Sequence, residues 1–209
     1  MEKNTENFLR REPSIEDKSD EEIFQNYMED LELLPEDFDK KILDIESRSA
    51  KFAKWAKEHN VSSEIYSLEP EQEFQEKTKS VKGRAENIPF QNEAFDLVIS
   101  NCSIPNELSG KNPKTLKEKV RSSLIEMMRV VKPGGEIRLG RVLYKSQQER
   151  GKIIDDVLNE LCEKYDAEIE KISQPLADIY KYDANHKPVK LLAQVYFIKI
   201  RKPIKKNKL

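Results

Sequence analysis

The spacing of apolar positions changes several times along the chain, and each change marks an element. Ile23, Phe24, Tyr27, Met28 and Leu31 recur at helical spacing. Ser19 precedes this stripe and Glu22 follows three residues on, the pattern of a reciprocal capping box. A helix is therefore expected to open at Ser19 and to end by Pro35. From residue 41 short apolar runs alternate with amphipathic stretches. The runs predict strands over Lys41–Ile45, Glu64–Leu68, Ser80–Arg84, Phe95–Ser100 and Glu136–Leu143. Between them, helices are expected over Ser49–His59, packing through Phe52, Ala53, Trp55 and Ala56, and over the more polar Pro70–Lys79. Thr115–Val131 places Leu116, Val120, Leu124, Met127, Met128 and Val131 on one side of a further helix, and Gln147–Tyr165 is a long amphipathic one. Pro133-Gly134-Gly135 reads as a tight turn. Two late strands, Glu168–Ile172 and Leu191–Ile200, have no helix-length segment between them.

Strands alternating with helices argue for an α/β fold, a parallel sheet covered on both faces. The last two strands lack a crossover helix, so they are expected to pair antiparallel at one edge. The chain has 209 residues, enough for one such domain and too few for two. The expected division is a flexible polar segment over 1–18, a folded domain over 19–202 and a basic tail over 203–209. Within the domain, the helix over 19–35 reads either as packing or as a lid over a substrate pocket.

Charge narrows the partners. Charged residues make up 36% of the chain but the formal net charge is only −2, so no global field draws it to nucleic acid or membrane. The lysines of Lys199–Lys208 would attract phosphate, yet such a tail reads more simply as solubilising. Nucleic acid is not an expected partner. No apolar run approaches the roughly 20 residues of a membrane span, and Met1–Arg11 has no apolar signal core, so a cytoplasmic protein is expected. Cys102 and Cys162 read as two reduced thiols. His59 and His186 show no metal-ligand spacing, and no metal is expected.

Four stretches resemble the class I S-adenosylmethionine-dependent methyltransferases, of the type 11-like group, and the likeness extends from about Leu34 to Lys202. Lys41-Ile42-Leu43-Asp44-Ile45 resembles the family's first strand with its acidic end. Glu69, after Ile65-Tyr66-Ser67-Leu68, resembles the acidic residue closing the second strand. Ala85-Glu86-Asn87-Ile88-Pro89-Phe90 followed by Glu93-Ala94-Phe95-Asp96-Leu97-Val98 resembles the third loop and fourth strand. Glu126 to Gly135 resembles the helix and turn before the fifth strand. The last two stretches are the most specific.

The resemblance implies a doubly wound, Rossmann-like, seven-stranded sheet whose last strand is antiparallel. It also implies a cofactor, S-adenosylmethionine, bound at the carboxyl ends of the strands. Glu69 would accept hydrogen bonds from the ribose hydroxyls. Glu86 and the Ala85 backbone would lie beside the adenine. Asp44 and Asn101 would line the pocket. Asp96 is open to a mainly structural role, and Glu69 to that of a solvated turn residue.

The chain departs from the family in its first loop. The three glycine positions correspond to Glu46, Arg48 and Ala50, and no glycine occurs before Gly83. A side chain there is expected to collide with the cofactor or to forbid positive φ. Glu46 would set negative charge near the cofactor's carboxylate. Arg48 would either pair with that carboxylate or with Glu46. The end of the fourth strand reads Asn101-Cys102-Ser103-Ile104, without the prolines and aromatic residue of nucleic-acid amino methyltransferases. Two functions follow: methyl transfer to a small-molecule acceptor with doubtful cofactor affinity, or a catalytically inactive relative that binds or regulates a protein partner.

Overall fold

The computed structural model describes residues 18–47, 50–70, 78–106, 112–143, 149–182 and 188–204. Helix α1 (Asp20–Asp30) opens as the sequence requires. The Ser19 hydroxyl accepts from the Glu22 amide at 3.1 Å, and Glu22 accepts from the Ser19 amide at 2.8 Å. It closes earlier than Pro35, because Glu32 turns into the left-handed region (φ 50°). Pro35–Asp39 then forms a short 3-10 turn, with Asp37 accepting from the Leu34 amide at 2.9 Å.

Five strands and two helices follow: β1 (Ile42–Ile45), α2 (Lys51–Glu58), β2 (Ile65–Glu69), β3 (Lys79–Lys82), β4 (Phe95–Asn101), α3 (Pro113–Val130) and β5 (Val131–Leu143). Asn112 caps α3 by accepting from the Thr115 amide at 2.9 Å. After α4 (Glu149–Tyr165) come β6 (Glu168–Ser173), β7 (Ala177–Tyr182), β8 (Pro188–Ala193) and β9 (Val195–Arg201). The main sheet has seven strands in the order β3-β2-β1-β4-β5-β9-β6. The first five run parallel, and β9 is antiparallel to both β5 and β6.

Two expectations need correction. Leu191–Ile200 is not one strand. Residues up to Ala193 belong to β8, which pairs with β7 in a separate hairpin, and the main-sheet strand starts at Val195. The two late strands do pair antiparallel, as expected. Pro133-Gly134-Gly135 is not a turn ahead of β5 but an irregular part of it, with a register shift opposite Phe95 and Leu97. The polar helix expected over Pro70–Lys79 falls largely on residues outside those described, as do the 1–17 segment and the end of the basic tail.

Alternate residues of the central strands feed two cores. Ile42, Ile65, Leu97 and Ile99 pack with Phe24, Tyr27, Phe38 and Phe52 of the α1–α2 side. Leu43, Ile45, Leu68, Val98, Ile137 and Leu139 pack with Val120, Leu124 and Met127 of α3 and with Ile154 and Val157 of α4. On the first side the rings interlock: Phe24 lies 4.1 Å from Trp55 and Tyr27 lies 4.4 Å from Phe52 between centroids.

Candidate cofactor site at the carboxyl ends of the strands

Because β1, β2 and β4 are mutually parallel, Asp44 near the end of β1, Glu69 at the end of β2 and Asn101 at the end of β4 share one end of the sheet. Asp44 is wholly buried and stands in register with Ser67 of β2. The Tyr27 hydroxyl of α1 donates to Asp44 Oδ1 at 3.4 Å, while Oδ2 has no hydrogen-bond partner. Burial pushes the Asp44 carboxyl well above the ordinary range, against the Tyr27 hydrogen bond, and the neighbouring Glu69 charge pushes the same way. The hydroxyls of Ser47 and Ser67 are likewise buried without partners. Unsatisfied buried polar atoms are uncommon in folded chains. Three of them lie near the ends of two adjacent strands.

The loop after β1 holds a second surprise. Glu46 has φ 58° and Ala50 has φ 51°, so both take the left-handed backbone that glycine would favour. The expectation that side chains forbid this conformation here is overturned. The Glu46 amide donates to the Leu68 carbonyl at 2.8 Å, which ties the loop to β2. Its carboxyl accepts a hydrogen bond from the Ser103 hydroxyl, on the loop after β4. Arg48 lies outside the described residues.

Asn101 is held by α1. Its amide donates to Asp30 Oδ2 at 3.0 Å, and Arg141 approaches the other Asp30 oxygen at 3.4 Å. Gly140 permits this: a Cβ there would stand 2.7 Å from Asn101 Oδ1 and 3.0 Å from the Asp30 carbonyl. Ala85 is fully buried and Glu86 half-buried in the turn after β3. That turn is pinned from α3. Glu126 accepts from the Ile88 amide at 2.9 Å, and Arg129 donates to the carbonyls of Ile88 and Phe90 at 2.8 and 2.7 Å. Asp96 lies at the other end of β4, accepting from the Lys41 amide at 3.0 Å and from Lys132 at 2.7 Å. Both contacts hold the start of the strand in place.

Sequence reasoning missed Tyr27, Asp30 and Ser103. Tyr27 counted only as one apolar position of a stripe. Asp30 carried no signal beyond its acidic surroundings, and Ser103 none beyond adjacency to Asn101. Among the described residues, no cluster of His, Cys, Asp and Glu is arranged to hold a metal ion, and no helix is long and apolar enough to cross a membrane. Cys102 and Cys162 are not joined in a disulfide.

Residues 43–139, which carry β1 through most of β5, match the family model of a methyltransferase domain. Over these residues the chain is similar to the methyltransferase-domain family. That family depends on S-adenosylmethionine. Solved structures reproduce the fold of the methyltransferase domain at low identity. A Pyrococcus horikoshii protein provisionally assigned as an RNA methyltransferase aligns with TM-score 0.57 and 14% identity, over 86% of this chain and 85% of that one. A provisionally assigned Haloferax volcanii methyltransferase, solved in complex with the Trm112 methyltransferase activator, gives 0.54 and 13%, over 88% and 93%. One from Bacillus halodurans gives 0.52 and 13%, over 86% and 98%. No curated protein matches the sequence significantly.

Against the family's cofactor, the methyltransferase domain offers a backbone of the right hand at two of the three glycine positions and a cluster of unsatisfied polar atoms beside them. Among the described residues, the backbone and the unpartnered polar atoms fit the group there, whereas the carboxyl of Glu46 does not.

Proposed function

We propose that the domain binds S-adenosylmethionine at the carboxyl ends of β1, β2 and β4 and transfers its methyl group to a small-molecule acceptor. The observation that carries this reading is the left-handed backbone at Glu46 and Ala50, kept without glycine in the loop where the family meets the cofactor. The sulfonium supplies an already activated methyl, so the chain's own task is orientation. Glu69 would hold the ribose hydroxyls. The Ala85 backbone and Glu86 would border the adenine, on a turn that Arg129 and Glu126 keep rigid. Asp44 and Asn101 would line the pocket between α1 and the sheet. The acceptor would enter beside α1 and the loop after β4. Calorimetric titration with S-adenosylmethionine and S-adenosylhomocysteine tests the reading, and saturable binding of either one supports it.

One observation favours a second reading, a catalytically inactive binding or regulatory module. Asp44, Asn101 and Glu46 are already engaged, by Tyr27, Asp30 and Ser103. On that reading a folded variant with glycine at 46, 48 and 50 still binds no cofactor.

A further inference from the structure

The Glu46 carboxyl occupies one of the family's glycine positions, and its hydrogen bond from Ser103 crosses between the ends of β1 and β4, which are neighbours in the sheet. Ser103 is buried, at 2% exposure, and Glu46 is half-buried. Two more carboxyls share the same end: Asp44, wholly buried, and Glu69, whose charge acts on Asp44. Asp44 Oδ2 and the Ser47 hydroxyl add buried polar atoms without partners on either side of Glu46 in the chain. The Glu46 carboxyl thus stands where a methionine-derived group would end.

S-adenosylmethionine carries three charged groups: a sulfonium, an ammonium and a carboxylate. Its carboxylate would approach the Glu46 carboxyl in a partly dry cleft, where like charges repel far more than in water. A ligand without that carboxylate keeps both cations and loses the repulsion. Resting on the cofactor-site reading above, we propose that this site selects nucleoside sulfonium ligands lacking the α-carboxylate, with decarboxylated S-adenosylmethionine preferred over S-adenosylmethionine. Glu46 is then a specificity-determining residue: it rejects one end group and attracts the ammonium that remains.

The test is calorimetric titration of the full chain with four probes: decarboxylated S-adenosylmethionine, S-adenosylmethionine, S-adenosylhomocysteine and methylthioadenosine. The last lacks the amino-acid end and reports on the nucleoside part alone. The decarboxylated ligand is expected to bind about tenfold tighter than S-adenosylmethionine, a difference of about 1.4 kcal/mol. Glu46→Gly should shrink the ratio to about twofold or less, by strengthening S-adenosylmethionine. Glu46→Gln keeps the side chain's shape and removes its charge, so it should narrow the ratio even if the glycine variant does not fold. If the probes bind and S-adenosylmethionine is equal or tighter in the unaltered chain, the selectivity is overturned while the cofactor site stands. A tenfold preference that survives Glu46→Gln also overturns it. If none of the four probes, methylthioadenosine included, binds the unaltered chain or a folded Glu46 variant, the cofactor-site reading falls, and the selectivity with it.

Discussion

Arg138 and Asp37 meet in a two-pronged ion pair, Nη1 to Oδ2 at 2.8 Å and Nη2 to Oδ1 at 3.1 Å, with side-chain exposures of only 6% and 2%. Asp37 sits in the 3-10 turn after α1, and Arg138 in the middle of β5. Arg138 also donates to the Glu32 carbonyl at 2.9 Å and to Glu136 at 2.9 Å. The pair therefore fastens the segment that follows α1 to the centre of the sheet. Removing one partner strands a buried charge, at a cost of about 3–5 kcal/mol. Asp37→Ala and Arg138→Ala should each lose about 3 kcal/mol in urea unfolding. The double variant Asp37→Leu with Arg138→Met should lose much less than the sum. Single losses below about 1 kcal/mol would show that the turn is held by something else.

The same pair predicts acid sensitivity. Burial would raise the Asp37 carboxyl, but the Leu34 amide, Lys40 and Arg138 together hold it below its ordinary value. Burial is likewise outweighed at Glu136, by Arg201 and Arg138. A carboxyl lowered by folding contributes stability above its unfolded pKa and loses it as pH falls through the folded one. Unfolding free energy should thus drop below about pH 4.5, the ordinary glutamate value. The drop should be shallower in Asp37→Asn than in the unaltered chain, starting from a lower plateau. Equal slopes would remove Asp37 from the account.

Asp44 carries the opposite sign. Burial raises its pKa in the folded state, so folding favours the protonated form. Its contribution is fully present below the ordinary aspartate pKa and is lost as pH rises through the raised value. Asp44→Asn mimics the protonated group at every pH. Relative to the unaltered chain, this variant should gain stability steadily from acid toward alkaline conditions. A constant offset between the two stability curves would mean that Asp44 does not titrate in this way.

Gly140 is a steric requirement. An added Cβ would meet Asn101 Oδ1 at 2.7 Å, the Asp30 carbonyl at 3.0 Å and Leu31 Cδ2 at 3.0 Å. Gly140→Ala should lower stability by about 1–3 kcal/mol, the usual cost of overpacking. It should also weaken the Asn101–Asp30 hydrogen bond that holds α1. Thermal unfolding measures the first effect. Faster amide exchange at the end of α1 measures the second, and unchanged exchange there would confine the strain to β5.

Much of the architecture was legible in the sequence because its signals are local. The Ser19–Glu22 capping box, the continuous apolar run of β4 and the stripe of α3 each determine their element without help from the rest of the chain. The break at Gln194 was not legible. Leu191 to Ile198 reads as one strand-like run, and periodicity carries no mark where a chain leaves one sheet for another. The site was legible in position: Asp44, Glu69 and Asn101 follow from strand ends. Its wiring was not, since the Tyr27–Asp44 and Ser103–Glu46 contacts span 17 and 57 residues. The part of the glycine argument that concerned backbone conformation misled, because the left-handed backbone at Glu46 and Ala50 is enforced by the surrounding structure, whereas residue type alone would have disfavoured it.

The ring interlock between α1 and α2 has an optical consequence. Trp55 is the chain's single tryptophan, and it lies against Phe24 of α1 on one side and is stacked on His59 at 4.0 Å on the other. Its emission therefore comes from one seam, the one beneath the helix whose Tyr27 and Asp30 reach the candidate site. Any lifting of α1 brings water to that indole. The protein thus carries a native, label-free gauge of whether its first helix is seated.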